Sequence, residues 1–358
     1  MERLAERVGV GERHLRRLFQ EHLGASPLAV AQTRRVLFAK RLIQETDLPL
    51  EEVAFASGFA STRRFHASMR QAYRMSPREL RRTRTATRGR IDLAIPVTTP
   101  YHWSGIIRFL SARAIPGVES VTPERYRRTV RLGDITGSVE VRPPVGAQLP
   151  VSVELSDLAG LRETIERVGR IFDVNAATGP IGEVLAELDP TPGIRVPGAW
   201  DPFELTVRAV LGQQISVAAA TTFAGRIAER FGDPLPDAGA ARLFPTAAKL
   251  ATVDLRQIGL TSARAEFLQS LARAAESGKL RFEGYASLED AIAALCELDG
   301  IGPWTAHYIA MRALREPDAF PATDLALRKA GGNDVAKRAE QWRPWRAYAA
   351  MALWEKLA

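Results

Sequence analysis

A single cysteine, Cys296, in 358 residues excludes an internal disulfide framework. It also excludes a four-cysteine zinc site or iron–sulfur cluster, so no metal is expected on side chains. Long apolar runs are missing too; none approaches the ~20 residues that span a bilayer, and no membrane partner is expected. The opening residues, MERLAERVGVGERHLRR, are charged and lack the apolar core of a signal peptide, so a cytoplasmic protein is expected. What is present is basic and lopsided. The net charge is +8, and residues 1–90 hold 19 Arg/Lys against 9 Asp/Glu, leaving the remainder slightly acidic. Basic excess confined to one segment suits a polyanion, most simply DNA.

That segment reads as a repeated helical unit. Leu4 to Gly11 and Glu12 to Phe19 form a short helix, a glycine turn and a second helix with Leu15, Leu18 and Phe19 on one face. Its other face carries Arg13, Arg16 and Arg17, as a major-groove recognition helix would. Leu50 to Phe59 and Ser61 to Tyr73 repeat the pattern, with Arg63, Arg64 and Arg70, and Ser26-Pro27 recurs 50 residues on as Ser76-Pro77. Ala29 to Gln44 reads as the linking helix. An all-helical interaction bundle is the alternative, disfavoured by the arginine-loaded second helices. Residues 1–82 resemble the AraC/XylS double helix-turn-helix domain, less part of its leading helix. Residues 83–94, which take up most of the run RRTRTATRGR from Arg81 to Arg90, read as a basic linker.

From Ile91 the texture alternates as strands do: Asp92–Val97, Tyr126–Leu132, Gly137–Arg142 and Leu149–Leu155, with helices over Tyr101–Ala112 and Leu158–Phe172. Residues 95–189 are therefore expected to form a small α+β domain with an antiparallel sheet. No residue there looks catalytic, and His102 reads as structural. Residues 190–358 read as all helical. The fold class expected is multidomain: an all-α double helix-turn-helix, an α+β antiparallel-sheet domain, then an all-α domain.

The last domain carries the chemistry. Leu298-Asp299-Gly300-Ile301-Gly302-Pro303-Trp304 is a Gly-x-Gly hairpin opening onto a helix N-terminus, with Pro303 in the first turn. Gly300 and Gly302 are expected to permit φ > 0 and close backbone approach, and the free amides suit a phosphate. Phe320-Pro321-Ala322-Thr323-Asp324 follows. A tight turn with Asp324 merely capping the next helix is the bland alternative.

The combination resembles the helix-hairpin-helix, Gly/Pro-Asp signature of the DNA glycosylase superfamily, and best its AlkA-type 3-methyladenine glycosylase II branch. The resemblance runs from about residue 95 to 358, and the domain order is similar to fusions of an Ada-type regulator with AlkA, without their cysteine-rich zinc domain. It implies double-stranded DNA as partner, an alkylated base as substrate, and hydrolysis of the N-glycosidic bond after base flipping. It further implies Asp324 as the catalytic carboxylate, Trp304, Tyr308 and Trp354 as the base pocket, and Gln214 as the wedge in the base stack. Gly300 and Gly302 would hold the DNA phosphate. No cofactor is implied beyond a monovalent cation on hairpin backbone carbonyls. Relatives that also cut the strand carry lysine where Trp304 stands, so strand cleavage is not expected. A monomer associated with the bacterial nucleoid is expected. The competing reading is a transcriptional regulator of an alkylation response whose glycosylase half only senses lesions.

Overall fold

The computed structural model describes residues 4–5, 8–81, 90–236 and 238–357. Three layers of organisation follow one another along the chain: helices, an antiparallel sheet with helices on it, and helices again.

In the first part, the two serines of the repeat start helices in the same way. Ser26 accepts from the Ala29 amide at the head of helix Pro27–Glu45, and Ser76 forms a reciprocal capping box with Glu79 at Pro77–Leu80. The second helices of the two units are Glu12–Leu23 and Thr62–Tyr73. Leu15, Phe65 and Met69 point inward, while Arg13, Arg16, Arg17, Arg63, Arg64 and Arg70 are all exposed. The linking helix has 19 residues, about 28 Å at 1.5 Å each. Leu4 and Ala5 are helical, but the remainder of the expected leading helix is only partly within the described residues.

The sheet has the order β1-β5-β4-β3-β2, with β1 at Ile91–Pro96, β2 at Glu119–Thr122, β3 at Arg125–Leu132, β4 at Ile135–Val141 and β5 at Gln148–Leu155. Every pairing is antiparallel. Ile91, Leu93 and Ile95 face inward by alternation, and helix Leu161–Ile171 covers the sheet with Leu161, Ile165, Val168 and Ile171. The strand expected over Asp92–Val97 starts one residue earlier, and one further strand carries no sequence signal. β1 begins at Ile91, inside the stretch 83–94 expected to be linker; residues 82–89 lie outside the described ones. And β2, only four residues long, has too short an alternation to stand out in the sequence.

The helix-turn-helix part is docked on this sheet. The Arg41 guanidinium donates to the carbonyl of Ala94 in β1, and Glu45 accepts from the Ala94 amide at 3.1 Å. Arg41 and Glu45 also pair with each other at 3.1 Å. Ala94 lies opposite Pro150, whose carbonyl accepts from the Arg142 amide on the far side, so the two residues do not bond each other and the backbone groups of Ala94 point outward from the edge. Beneath these bonds Val36, Ala39, Leu42 and Ile43 join Leu93, Ile95 and Leu161 in one continuous apolar cluster. Each fully buried Leu or Ile there contributes about 1.5–3 kcal/mol.

The last part packs helices Pro202–Leu211, Val217–Phe231, Ser262–Glu276, Leu288–Cys296, Pro303–Ile309, Leu325–Gly331 and Arg346–Glu355 around two further apolar clusters. Asp201 accepts from the Glu204 amide at 2.8 Å, with Pro202 in the first turn, so the first of these helices starts where its sequence signals it.

Candidate active site

One open cleft of about 1110 Å³ lies between the sheet domain and the last helices. Trp304, Tyr308, Asp324 and Trp354 all line it, as do Gln214, Gly300 and Gly302. The exposed arginines of the helix-turn-helix part are not among its residues.

Trp304 and Tyr308, four apart on helix Pro303–Ile309, stack with ring centroids 5.4 Å apart and planes 8° off parallel. Trp354 arrives from the final helix, 6.4 Å from Tyr308 and tilted by 58°. Between the walls sits Asp324. Its Oδ2 accepts from Trp304 Nε1 at 2.9 Å, and its Oδ1 accepts from Trp354 Nε1 at 3.1 Å and from the Leu327 amide at 2.9 Å. Asp324 thus does cap helix Leu325–Gly331, and the same carboxylate is also clamped by two pocket indoles. Charge-assisted bonds of this kind fix a carboxylate in place.

The hairpin differs from expectation at one glycine. Gly300 has φ +79°, and a Cβ there would run into the Phe267 ring, so both backbone and packing demand glycine. Gly302 has φ −88° with open space at its Cβ position; it needs no positive φ, and its bareness leaves the helix N-terminus open to a ligand. The Gly300 carbonyl accepts from Gln213 Nε2 at 3.0 Å and the Leu298 carbonyl from the Ile301 amide at 3.0 Å, so a monovalent cation here would draw on remaining lone pairs. Among the described residues no His/Cys/Asp/Glu cluster is arranged to hold a metal.

Gln214 projects from the loop after helix Pro202–Leu211, exposed, with φ +62°. A side chain held in that rarely used conformation marks a constrained tip. Its neighbour Gln213 supplies the constraint. Gln213 Nε2 also donates to Thr305 Oγ1 at 2.9 Å, and Arg264 donates to the Gln213 carbonyl at 2.7 Å. The Gln214 loop and the hairpin, joined by a bond between residues 87 apart, are therefore tied together.

Sequence reasoning assigned nothing in the sheet domain to the site, and the structure corrects that. Phe109 and Arg113, from helix Trp103–Ser111 and the turn after it, line the cleft. The Phe109 ring lies 6.2 Å from Trp354, with Arg113 over its face at 3.8 Å. Behind Tyr308, Arg312 donates to the phenol oxygen at 2.9 Å and anchors itself on the Pro197 and Gly198 carbonyls. Burial would raise the Tyr308 pKa, but Arg312, Arg113 and Arg208 outweigh it and bring it down to about 8. Deeper still, Glu119 and Arg128 of the sheet meet Glu204 and Arg208 of helix Pro202–Leu211, with Arg128–Glu204 at 2.7 Å and Arg208–Glu119 at 3.2 Å. No motif signals this buried network, because its partners come from two domains.

Sequence models of three domain families match the chain. A helix-turn-helix domain covers residues 4–83, the AlkA N-terminal domain covers 92–201, and the HhH-GPD superfamily of base excision DNA repair proteins covers 207–352. A Mycobacterium tuberculosis H37Rv protein, "Probable bifunctional transcriptional activator/DNA repair enzyme AlkA", is 37% identical over 99% of this chain and 76% of its own length. The chain belongs to the AlkA family. DNA-3-methyladenine glycosylase 2 of Escherichia coli K12 is 36% identical over 71% of this chain and 94% of its own. This AlkA-family chain is a DNA glycosylase fused to an AraC-type helix-turn-helix domain. Its fold is shared with the 3-methyladenine DNA-glycosylase of Archaeoglobus fulgidus, with a TM-score of 0.62 and 22% identity over 73% of this chain and 97% of that one.

Proposed function

We propose that this glycosylase releases N-alkylated purines of the 3-methyladenine and 7-methylguanine type, by hydrolysis without strand cleavage, with Asp324 as its catalytic carboxylate. The observation that carries this reading is a single carboxylate held between two indoles in an aromatic cleft. Duplex DNA hides the scissile bond, so the nucleotide must leave the stack. Gln214, on its constrained loop, would fill the gap, while amides at the bare hairpin near Gly300 and Gly302 take the neighbouring phosphate. An N-alkylated purine is cationic, and the faces of Trp304, Tyr308 and Trp354 attract it. The base already leaves easily. As its glycosidic bond breaks, the bonding electrons go to the base, which departs neutral, and positive charge develops at the sugar. The Asp324 carboxylate faces that charge and stabilises it in a low-dielectric cleft. Water then adds to the sugar carbon, gives up a proton to solvent and leaves an abasic site. Trp304 cannot form a Schiff base, so the reaction stops there.

In this reading, residues 1–82 bind duplex DNA in a sequence-dependent way through Arg13, Arg16, Arg17, Arg63, Arg64 and Arg70. The domains divide at 1–82, about 91–189 and 190–358, and the protein acts as a cytoplasmic, nucleoid-associated monomer. Base release from alkylated duplex DNA, followed by chromatography of the freed bases, tests the assignment. Absence of any alkylated purine in the supernatant, with DNA still bound, would leave the lesion-sensing regulator as the reading.

A further inference from the structure

Glu355 is used nowhere in that chemistry, yet it lines the same cleft, one residue past Trp354 on the final helix. Its Oε1 lies 3.0 Å from His102 Nε2 and 3.6 Å from the Arg108 guanidinium. The side chains of His102 and Glu355 are each only 16% exposed, so they are not a solvated surface pair. Burial works against the Glu355 carboxylate, but hydrogen bonding and charge from His102, with help from Arg108 and Thr191, hold its pKa below the ordinary value. The pair also has a space made for it. Residue 105 is glycine, and a Cβ at that position would collide with both Glu355 Oε1 and the His102 ring. Arg108 is 55% exposed, so water screens its charge more than that of the inward carboxylate.

We propose that Glu355 is a specificity residue for the extruded base: its carboxylate, set by His102 across Gly105, faces the positive charge and N–H groups of an N-alkylated purine lying against Trp354. The inference rests on the substrate class proposed above. Aromatic faces attract cations but also stack neutral purines. A fixed negative charge beside them adds discrimination that stacking cannot supply. His102 is then a positioning residue, acting only through the carboxylate it holds.

The test compares the intact protein with Glu355→Gln, which removes the charge and keeps the shape. Gly105→Ala, which keeps the charge and displaces the pair, serves as the second variant. Single-turnover release of 7-methylguanine is measured beside equilibrium binding to a duplex carrying a tetrahydrofuran abasic analogue, which has no base to read. Both variants should slow release roughly tenfold, as loss of one modest charge interaction would. Abasic-duplex affinity should move less than about twofold. Release at the wild-type rate by both variants overturns the inference. So do equal losses in release and in abasic-duplex affinity, the signature of a purely structural role. A wild-type protein that releases no alkylated base overturns the substrate class itself and this inference with it, whereas an active wild type matched by its variants overturns the inference alone.

Discussion

Trp304 and Asp324 meet inside the cleft, with the indole Nε1 donating to Oδ2 at 2.9 Å. Trp354 does the same to Oδ1 from the opposite wall. The two tryptophans that would hold the base therefore also aim the carboxylate, and binding and chemistry share their supports.

Asp324→Asn should abolish base release, by about 10²-fold or more, while lesion-duplex affinity stays within a few-fold. Three donors converge on this side chain, and asparagine offers one acceptor oxygen in place of two. One indole is left facing an NH₂ group, so stability should also fall by roughly 1–3 kcal/mol. Single-turnover kinetics beside thermal melting check both. Near-normal turnover would remove Asp324 from the mechanism.

Trp304→Phe keeps a ring in the wall and deletes the donor to Oδ2. Release should slow by about tenfold or more with a smaller change in lesion affinity, since one charge-assisted bond is worth about 1.5–3 kcal/mol. Neither this variant nor the intact protein should yield a borohydride-trapped adduct with DNA, because no lysine stands at position 304. A trapped crosslink at the active site would contradict a purely hydrolytic route.

Tyr308 should ionise near pH 8, visible as phenolate absorbance that vanishes in Tyr308→Phe. The other five tyrosines, at 73, 101, 126, 285 and 348, are all held above their ordinary value, chiefly by burial, so the signal is unambiguous. The sign for stability follows from a folded value lying below the unfolded one near 10. Between about pH 8 and 10 the unfolded chain binds the extra proton. This group's stabilisation is therefore full above about 10 and lost as pH falls through about 8. A titration showing no transition below pH 9 would mean that the arginines do not act on Tyr308 as described.

Much of this was legible from the chain, for a physical reason. The hairpin, the capped helices and the recognition helices are local patterns, in which spacing along the sequence equals spacing in space. Gly300, Trp304 and Tyr308 all sit within nine residues. Phe109 and Arg113 were not legible, because they reach the cleft only after domains fold against each other, and Glu355 was passed over beside Trp354 because its partners His102 and Arg108 come from another domain. Gly302 shows a different limit: a glycine can be kept for bareness rather than for φ. Arg312 carries no local signal, and only packing places it behind Tyr308.

Charge neutralisation at Arg13, Arg16, Arg63 and Arg64 together, each to Gln, should flatten the salt dependence of DNA binding. The slope should drop by about 0.9 log units for each phosphate that the protein no longer neutralises. Single-turnover release at saturating enzyme should stay close to wild type, since none of these residues lines the cleft. An unchanged slope would mean that the helix-turn-helix part does not carry the long-range attraction.

The clasp of Arg41 and Glu45 on Ala94 has a consequence for how such a fusion can be taken apart. β1 is an outer strand of its sheet, and an outer strand with bare amides and carbonyls is a template for another chain's strand. The docked helix occupies that template with side chains and buries the apolar rim beside it. The domain that meets DNA is thus also the sheet's protective edging. A version trimmed to the glycosylase alone should need a new charge or proline on β1 to stay unaggregated at high concentration.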